Sequence, residues 1–334
     1  MSVSLRDVAE RAGVSVATAS RVLSGSDYPV RATLREKVQE AAAALDYVPN
    51  AQAQGLLAGR SNTVGVLVGE VGDPYFATMV NGIHDVATEQ NLLVTICGTA
   101  RDMDRELAYF RLLQAHRTGI VILAGSGMID ETYATAMAAR TRSFVASGGR
   151  VVAIGDPAAK VDRVLVDNRA GMRLLGDHLV SLGHRRVGMV AGNPGLASTQ
   201  ERIAGVREAI ENAGGEVHVR HVPQTREGGL DGAAALCAEH PNLTAVVGSA
   251  DQMALGAMQF IRDQGRRIPE DVAVAGCNDI SAAQDAYPQL TSVRLPLREM
   301  GATALRLALA DASAEPVTRL FEPTLVVRGS TART

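Results

Sequence analysis

Apolar positions recur at helical spacing from the start of the chain. Leu5, Val8, Ala9 and Ala12 fall on one face of a short helix, which Ser4 can cap with Asp7 as its partner three residues on. Gly13 sits where the chain must turn. Ser15 then caps a second helix from Val16 to about Leu23, with Ala19 and Leu23 on one face and Val16, Ala17, Ser20 and Arg21 on another. A third helix is expected behind a capping box at Thr33-Leu-Arg-Glu36, with Leu34, Val38, Ala41 and Leu45 as its buried stripe. Residues 50–63 are small and polar, are interrupted by Gly55 and Gly59, and read as a linker that is at best marginally helical.

Beyond the linker the period changes. Short runs rich in Val and Ile are expected as strands at Val64–Val68, Leu92–Cys97, Gly119–Leu123, Val151–Ile154, Arg163–Val166, Val187–Val190, Ala245–Val247 and Val272–Ala275. Helical stretches separate them near Phe76–Gln90, Asp104–Ala115, Gly171–Leu182, Thr199–Asn212 and Gln252–Gln264. Strands alternating with helices imply parallel sheets covered on both faces, and a run of this length implies two such α/β units in succession.

Composition narrows the class. A chain of 334 residues suggests two or three domains, and 46% hydrophobic with 21% charged residues is the balance of a soluble globular protein. No apolar run of about 18 residues suggests a membrane span, and the first residues lack the basic and apolar segments of a secretory signal. Cys97, Cys237 and Cys277 lie far apart with no metal-ligand spacing, which fits a reducing cytoplasm. No metal or cofactor is expected. A net charge of −3 argues at first against nucleic acid. Within residues 1–60, however, Arg6, Arg11, Arg21, Arg31, Arg35, Lys37 and Arg60 nearly balance the acids, so sequence-independent attraction to DNA should be modest per subunit. A second helix whose outer face is small, semi-polar and carries one arginine can enter a major groove.

Leu5 to Gly25 closely resembles the headpiece of the lactose-repressor (LacI/GalR) family of bacterial transcription regulators, and Asp46-Tyr-Val-Pro-Asn50 resembles the end of that headpiece. The likeness continues through Asp73-Pro-Tyr-Phe76, Val166-Asp-Asn168, His178 to Arg186, Asp251 to Gly256, Gly276-Cys-Asn-Asp279 and Pro288 to Ser292, in that order along the chain. It implies an all-α helix-turn-helix headpiece (1–49), a hinge (50–60) and an α/β two-lobed domain like the periplasmic binding proteins (61–330). The lobes are expected at about 61–160 with 292–320, and about 162–290 with 322–330.

For DNA the resemblance implicates Ser4, Leu5, Ser15, Val16, Ala17, Thr18, Ser20 and Arg21 in the headpiece, and Asn50, Ala53 and Leu56 in the hinge. Leu56 matches the family's minor-groove wedge, expected to kink the operator when two hinges fold together on it. For the effector it implicates Asp73, Tyr75, Phe76, Asp156, Ser198, Arg202, Gln224, Asp251 and Asn278, near the carboxyl ends of strands where ligands of open parallel sheets bind. Gln224 stands where many relatives carry an aromatic ring, Asn278 where sugar-responsive relatives often carry aspartate, and Ala250 replaces a usual asparagine. Such a pocket suits a ligand smaller or more anionic than a hexose.

The expected protein is a cytoplasmic homodimeric repressor of a near-palindromic operator, controlled by a sugar-like effector. A nucleoside, purine or sugar phosphate acting as co-repressor stays as the alternative, and a solute-binding protein is a remote one. The stop at Thr334, without an added leucine heptad, is what favours a dimer over a tetramer. An enzyme is not expected. Gly125-Ser-Gly127 is no nucleophile elbow, His218 and His221 would point to opposite faces of a strand, and no Walker loop or dinucleotide fingerprint occurs.

Overall fold

The computed structural model describes residues 3–24, 28–48, 61–125, 127–156, 159–311 and 313–331. The hinge residues Asn50, Ala53 and Leu56 lie outside the described residues. Two compact units are present, Met1–Asn62 and Thr63–Thr334.

In the first unit, α1 (Leu5–Ala12) and α2 (Val16–Leu23) are joined through Gly13, whose φ of +65° is the left-handed conformation glycine adopts without strain. The Ser4–Asp7 capping box forms, with the Ser4 amide donating to Asp7 Oδ2 at 2.8 Å. Ser15 Oγ accepts from the Thr18 amide at 3.1 Å. The third helix, α3 (Ala32–Ala44), departs from expectation. It starts behind Arg31 with no side-chain cap, so Thr33 lies inside its first turn and the expected box does not form. Val8, Ala9, Ala12, Ala19, Val22, Val38, Ala41 and Ala42 make the small core, with Leu5, Leu34 and Leu45 half-buried at its edge.

The second unit carries two six-stranded sheets. The first contains β1 (Thr63–Val68), β2 (Leu93–Gly98), β3 (Ile120–Ala124), β4 (Arg150–Ile154), β5 (Asp162–Val166) and β11 (Thr318–Phe321), in the order β11-β5-β4-β3-β1-β2. The second contains β6 (Arg186–Ala191), β7 (Glu216–His221), β8 (Ala245–Gly248), β9 (Ala273–Asn278), β10 (Thr291–Arg294) and β12 (Thr324–Val326), in the order β12-β10-β9-β8-β6-β7. All described pairings are parallel except β10 with β12. The crossovers fall later than the sequence suggested. Register ties Val152 to Asp162 in the first sheet and Arg294 to Asn278 in the second. The chain therefore changes lobe after Val166 and after Arg294, and once more between Phe321 and Thr324.

Three helix pairs cover these sheets at close range. Between α4 (Pro74–Glu89) and α12 (Leu297–Leu309) a Cβ on Gly82 would lie 1.8 Å from the Arg298 carbonyl oxygen, and one on Gly301 would lie 2.0 Å from that of Met79. The pairs α7 (Asn168–Ser181) with α8 (Ala197–Asn212), and α9 (Arg226–Glu239) with α10 (Asp251–Asp263), close in the same way at Gly205 and Gly256. Backbone cannot give way as a side-chain end can. Gly301→Ala is therefore expected to lower stability by about 3 kcal/mol, at the upper end of overpacking costs, read as a fall in the urea midpoint. An unchanged midpoint would show that the two helices separate freely.

Candidate functional site

The carboxyl ends of the strands in the two sheets converge on one cavity. Gly69 follows β1, Thr99 follows β2, Gly125 follows β3, Ser249 follows β8, and Asn278 ends β9; all five line it. The space measures about 990 Å³, its open mouth included. The lobes meet over it through backbone bonds, with the Ile129 amide donating to Gly195 O at 2.8 Å and the Ala197 amide to Gly127 O at 3.3 Å. On the side-chain level Gln252 Nε2 donates to Asp73 Oδ1 at 3.4 Å.

Six of the nine expected effector residues line this cavity: Tyr75, Phe76, Ser198, Arg202, Gln224 and Asn278. Tyr75 and Phe76 open α4 and stack edge to face at 5.0 Å. Burial raises the pKa of the Tyr75 hydroxyl, so it stays a neutral phenol. Gln224 sits tight against Gly192, where a Cβ would come 2.8 Å from its Oε1. Arg202 is 6% exposed and held from two sides, with Nε donating to Asn168 Oδ1 at 2.9 Å and Nη1 to the Ser249 carbonyl at 2.6 Å. These bonds fix the plane of the guanidinium before any ligand arrives.

Asn278 is the most telling residue. It is 4% exposed, and its Oδ1 has no hydrogen-bond partner. A buried acceptor without a partner costs free energy, and this one lies just behind the cavity wall that Asn278 helps to form. Its backbone is also strained, with φ +114° at Asn278 and +53° at Asp279. What holds this turn is Asp279, whose carboxylate meets Arg294 Nε at 2.6 Å and Arg328 Nη2 at 2.7 Å.

Three expected carboxylates stand elsewhere, each consumed by a local partner. Asp73 caps α4 through the Tyr75 amide at 3.0 Å and pairs with Arg101 at 3.3 Å, so it orients Arg101 rather than lining the cavity. Asp156 is exposed and pairs with Arg163, beside a separate groove that also carries Asp130. Asp251 is fully buried behind the wall, its Oδ1 accepting from Ser292 Oγ at 2.6 Å and its Oδ2 from the Ile280 amide at 2.8 Å. A Cβ on Gly276 would lie 2.3 Å from that carboxylate, which shows how closely the strand admits it.

Burial pushes the Asp251 pKa up to about 6, while those hydrogen bonds pull it down and the charge of Asp279 adds to the rise. The folded value exceeds the ordinary 3.8. The folded state thus holds more protons between the two values, and this group's contribution falls as pH rises through that window, then stays constant. Wild type is expected to lose about 2 kcal/mol between pH 4 and 7 relative to Asp251→Asn, measured as paired urea midpoints. Parallel pH curves for the two proteins would contradict this.

Sequence reasoning missed Thr99, Arg101, Glu106, Tyr133 and Ser249, all on the cavity wall. Thr99 and Ser249 follow strands, so the rule that found Tyr75 could have found them. Arg101, Glu106 and Tyr133 carry no local signal. Arg101 lies 5.6 Å from the Phe76 ring centroid. No group of His, Cys, Asp and Glu suited to a metal ion occurs among the described residues. Nor, among them, is any helix long and apolar enough to cross a membrane. Among the histidines, His178 Nε2 meets Thr331 Oγ1 at 2.9 Å, His184 Nδ1 meets Thr244 Oγ1 at 3.0 Å, and His218 stacks on His240 at 3.6 Å.

On the first unit, α2 presents Val16, Ala17 and Arg21 to solvent, with Thr18 and Ser20 half-exposed between them. The Arg21 guanidinium lies 4.4 Å from the centroid of the Tyr28 ring. Ser4 and Ser15 spend hydroxyl bonds on their caps, and Leu5 turns toward the small core.

A helix-turn-helix unit followed by two parallel α/β lobes around a cleft defines a ligand-binding DNA regulator. Residues 4–50 match the profile of bacterial regulatory proteins of the lacI family, and residues 176–331 match a periplasmic binding protein-like domain. The chain is 32% identical to the HTH-type transcriptional regulator GalR of Escherichia coli (strain K12), covering 98% of this chain and 95% of that protein. It is 34% identical to the HTH-type transcriptional regulator CelR of Thermobifida fusca, covering 98% and 97%. Among solved structures, the lac repressor dimer bound to operator and the anti-inducer ONPF superposes with a TM-score of 0.87 at 27% identity, covering 100% of both chains. A CelR–cellobiose complex superposes at 0.71 with 31% identity, covering 98% of this chain and 99% of that one. The chain belongs to the LacI family of DNA-binding transcriptional regulators, and the relatives named here are regulators rather than enzymes.

Proposed function

We propose that this protein is a sugar-responsive repressor whose ligand binds between the lobes, under Arg202 and Asn278. The Arg202 guanidinium carries the reading, because it is held in one plane by Asn168 and the Ser249 carbonyl and lines the cavity, with the unpartnered Asn278 amide beside it. A solved neighbour is a CelR–cellobiose complex, which supports a carbohydrate as the ligand class. Two copies would read a near-palindromic operator, and a lac repressor neighbour is a dimer on its operator. The edge strand β2 supports a dimer as well, since it exposes Leu93 and Ile96.

A sugar phosphate is the second reading. The charged residues on the wall are two guanidiniums, Arg101 and Arg202, against one carboxyl, Glu106, so positive charge prevails there.

The test joins operator selection from random DNA with a thermal-shift panel of sugars, sugar phosphates and nucleosides. A sugar that raises the melting temperature and weakens operator binding supports the first reading. A phosphate-dependent shift supports the second. A response to purines alone, or a ligand that tightens DNA binding, overturns sugar-induced repression. Light scattering that gives a tetramer would overturn the dimer.

A further inference from the structure

The cavity does not end at the cleft. It runs beneath the first lobe, onto the sheet face covered by α5 (Met103–Ala115) and α6 (Glu131–Ala146). Its floor is a row across three neighbouring parallel strands, in which Leu67 stands beside Leu123 and Leu123 beside Ala153. Of these three, Ala153 is the smallest, and all three line the cavity. Tyr133 and Met137, one turn apart on α6, form one wall, and Glu106 from the first turn of α5 forms the other. Tyr133 and Glu106 face the same space, close enough for each to bear on the other's ionisation.

An apolar recess of this kind is costly when unfilled, since its lining loses packing contacts and a core normally closes over such a gap. A mostly buried carboxyl group at its edge, beside the Tyr133 phenol, adds a second cost. Both costs fall when an apolar group with a polar substituent enters. Apolar walls with a few placed polar groups are the usual build of small-molecule sites.

We propose that this recess is a second compartment of the ligand site. It takes a compact apolar group (alkyl, acyl or aryl) that meets Glu106 and Tyr133 through one hydrogen-bonding atom. The natural effector is then amphiphilic, with its polar head in the cleft and its apolar part under α5 and α6. The second half of this statement rests on the cleft being the effector site; the recess itself does not.

Phenol is the probe, followed in full-length protein carrying ¹³C-methyl methionine. Saturable shifts of the Met137 and Met128 methyl signals are expected at millimolar phenol, while Met189 and Met258 stay fixed. Ala153→Met should fill the recess and weaken phenol binding at least tenfold. Ala153→Val is the milder variant should the first fail to fold, with a weakening of severalfold. Tyr133→Phe should weaken phenol but spare benzene. Arg202→Ala should leave phenol binding unchanged. Phenol that leaves Met137 unmoved, or that binds Ala153→Met and Ala153→Val as tightly as wild type, overturns the recess even if sugars bind the cleft. Phenol binding in the recess without any Arg202-dependent ligand would instead sink the cleft reading and leave the recess standing.

Discussion

Arg202→Ala is expected to uncouple the protein from its effector while leaving it on DNA. In wild type the side chain is buried, with Nε on Asn168 and Nη1 on the Ser249 carbonyl. Its Nη2 edge is what a ligand in the cavity would meet. A hydrogen bond to a charged donor contributes about 1.5–3 kcal/mol, so effector affinity should fall by roughly 10- to 150-fold. Removal also strips Asn168 Oδ1 and the Ser249 carbonyl of a donor. A stability loss of about 1–3 kcal/mol should accompany it, visible in urea unfolding without ligand. Arg202→Lys should not rescue binding, because a point ammonium cannot serve both acceptors and the ligand in one plane. The decisive measurement is the ligand-induced thermal shift set beside operator affinity. A variant that keeps the shift would show that the ligand sits away from Arg202. Linkage adds a check: whatever factor the ligand imposes on DNA affinity, operator must impose on ligand affinity.

What was legible beforehand divides by the range of the signal. The headpiece could be read because its determinants are local: a capping box at Ser4 and Asp7, a left-handed Gly13, and a cap at Ser15. The same logic failed at Thr33, where a capping-box pattern falls inside the first turn of a helix that starts at Ala32 behind Arg31. Strands rich in Val and Ile were legible, and so were residues that follow them into the cleft. The aspartates were over-read for a single reason. A carboxylate after a strand can face a ligand, cap a helix or pair with arginine, and sequence does not tell which. Asp73 caps its own helix, Asp156 pairs with Arg163, and Asp251 takes Ser292 and the Ile280 amide, distant in sequence but adjacent in the fold. Arg226–Glu239, with three glycines, and Glu131–Ala146, with its small residues, lack a marked apolar stripe and stood outside the expected helices. The recess was invisible for that reason, since Tyr133 and Met137 lie on one of them. Its floor depends on register between strands far apart in sequence, which no spacing rule reports.

Arg21→Ala is expected to abolish specific operator binding without unfolding the headpiece. The residue is exposed on the outer face of α2, away from the buried Ala19 and Val22, so truncation leaves the core of the unit intact. One arginine bond to a base edge contributes about 1–3 kcal/mol of discrimination, and a dimer uses it in both half-sites. Operator affinity should therefore fall by roughly 30-fold to more than 1,000-fold, while weak non-specific binding persists. Val16 and Ala17 cannot compensate, because they offer only apolar contact. Tyr28 sharpens the test. Its ring lies against the Arg21 guanidinium at 4.4 Å and restricts the side chain before DNA is met. If that restriction matters, Tyr28→Ala should weaken operator binding several-fold with the arginine still present. Fluorescence anisotropy on a selected operator and on scrambled DNA, at fixed salt, separates these outcomes. Equal loss on both DNAs would assign Arg21 to a phosphate rather than a base, and unchanged affinity would remove it from the interface.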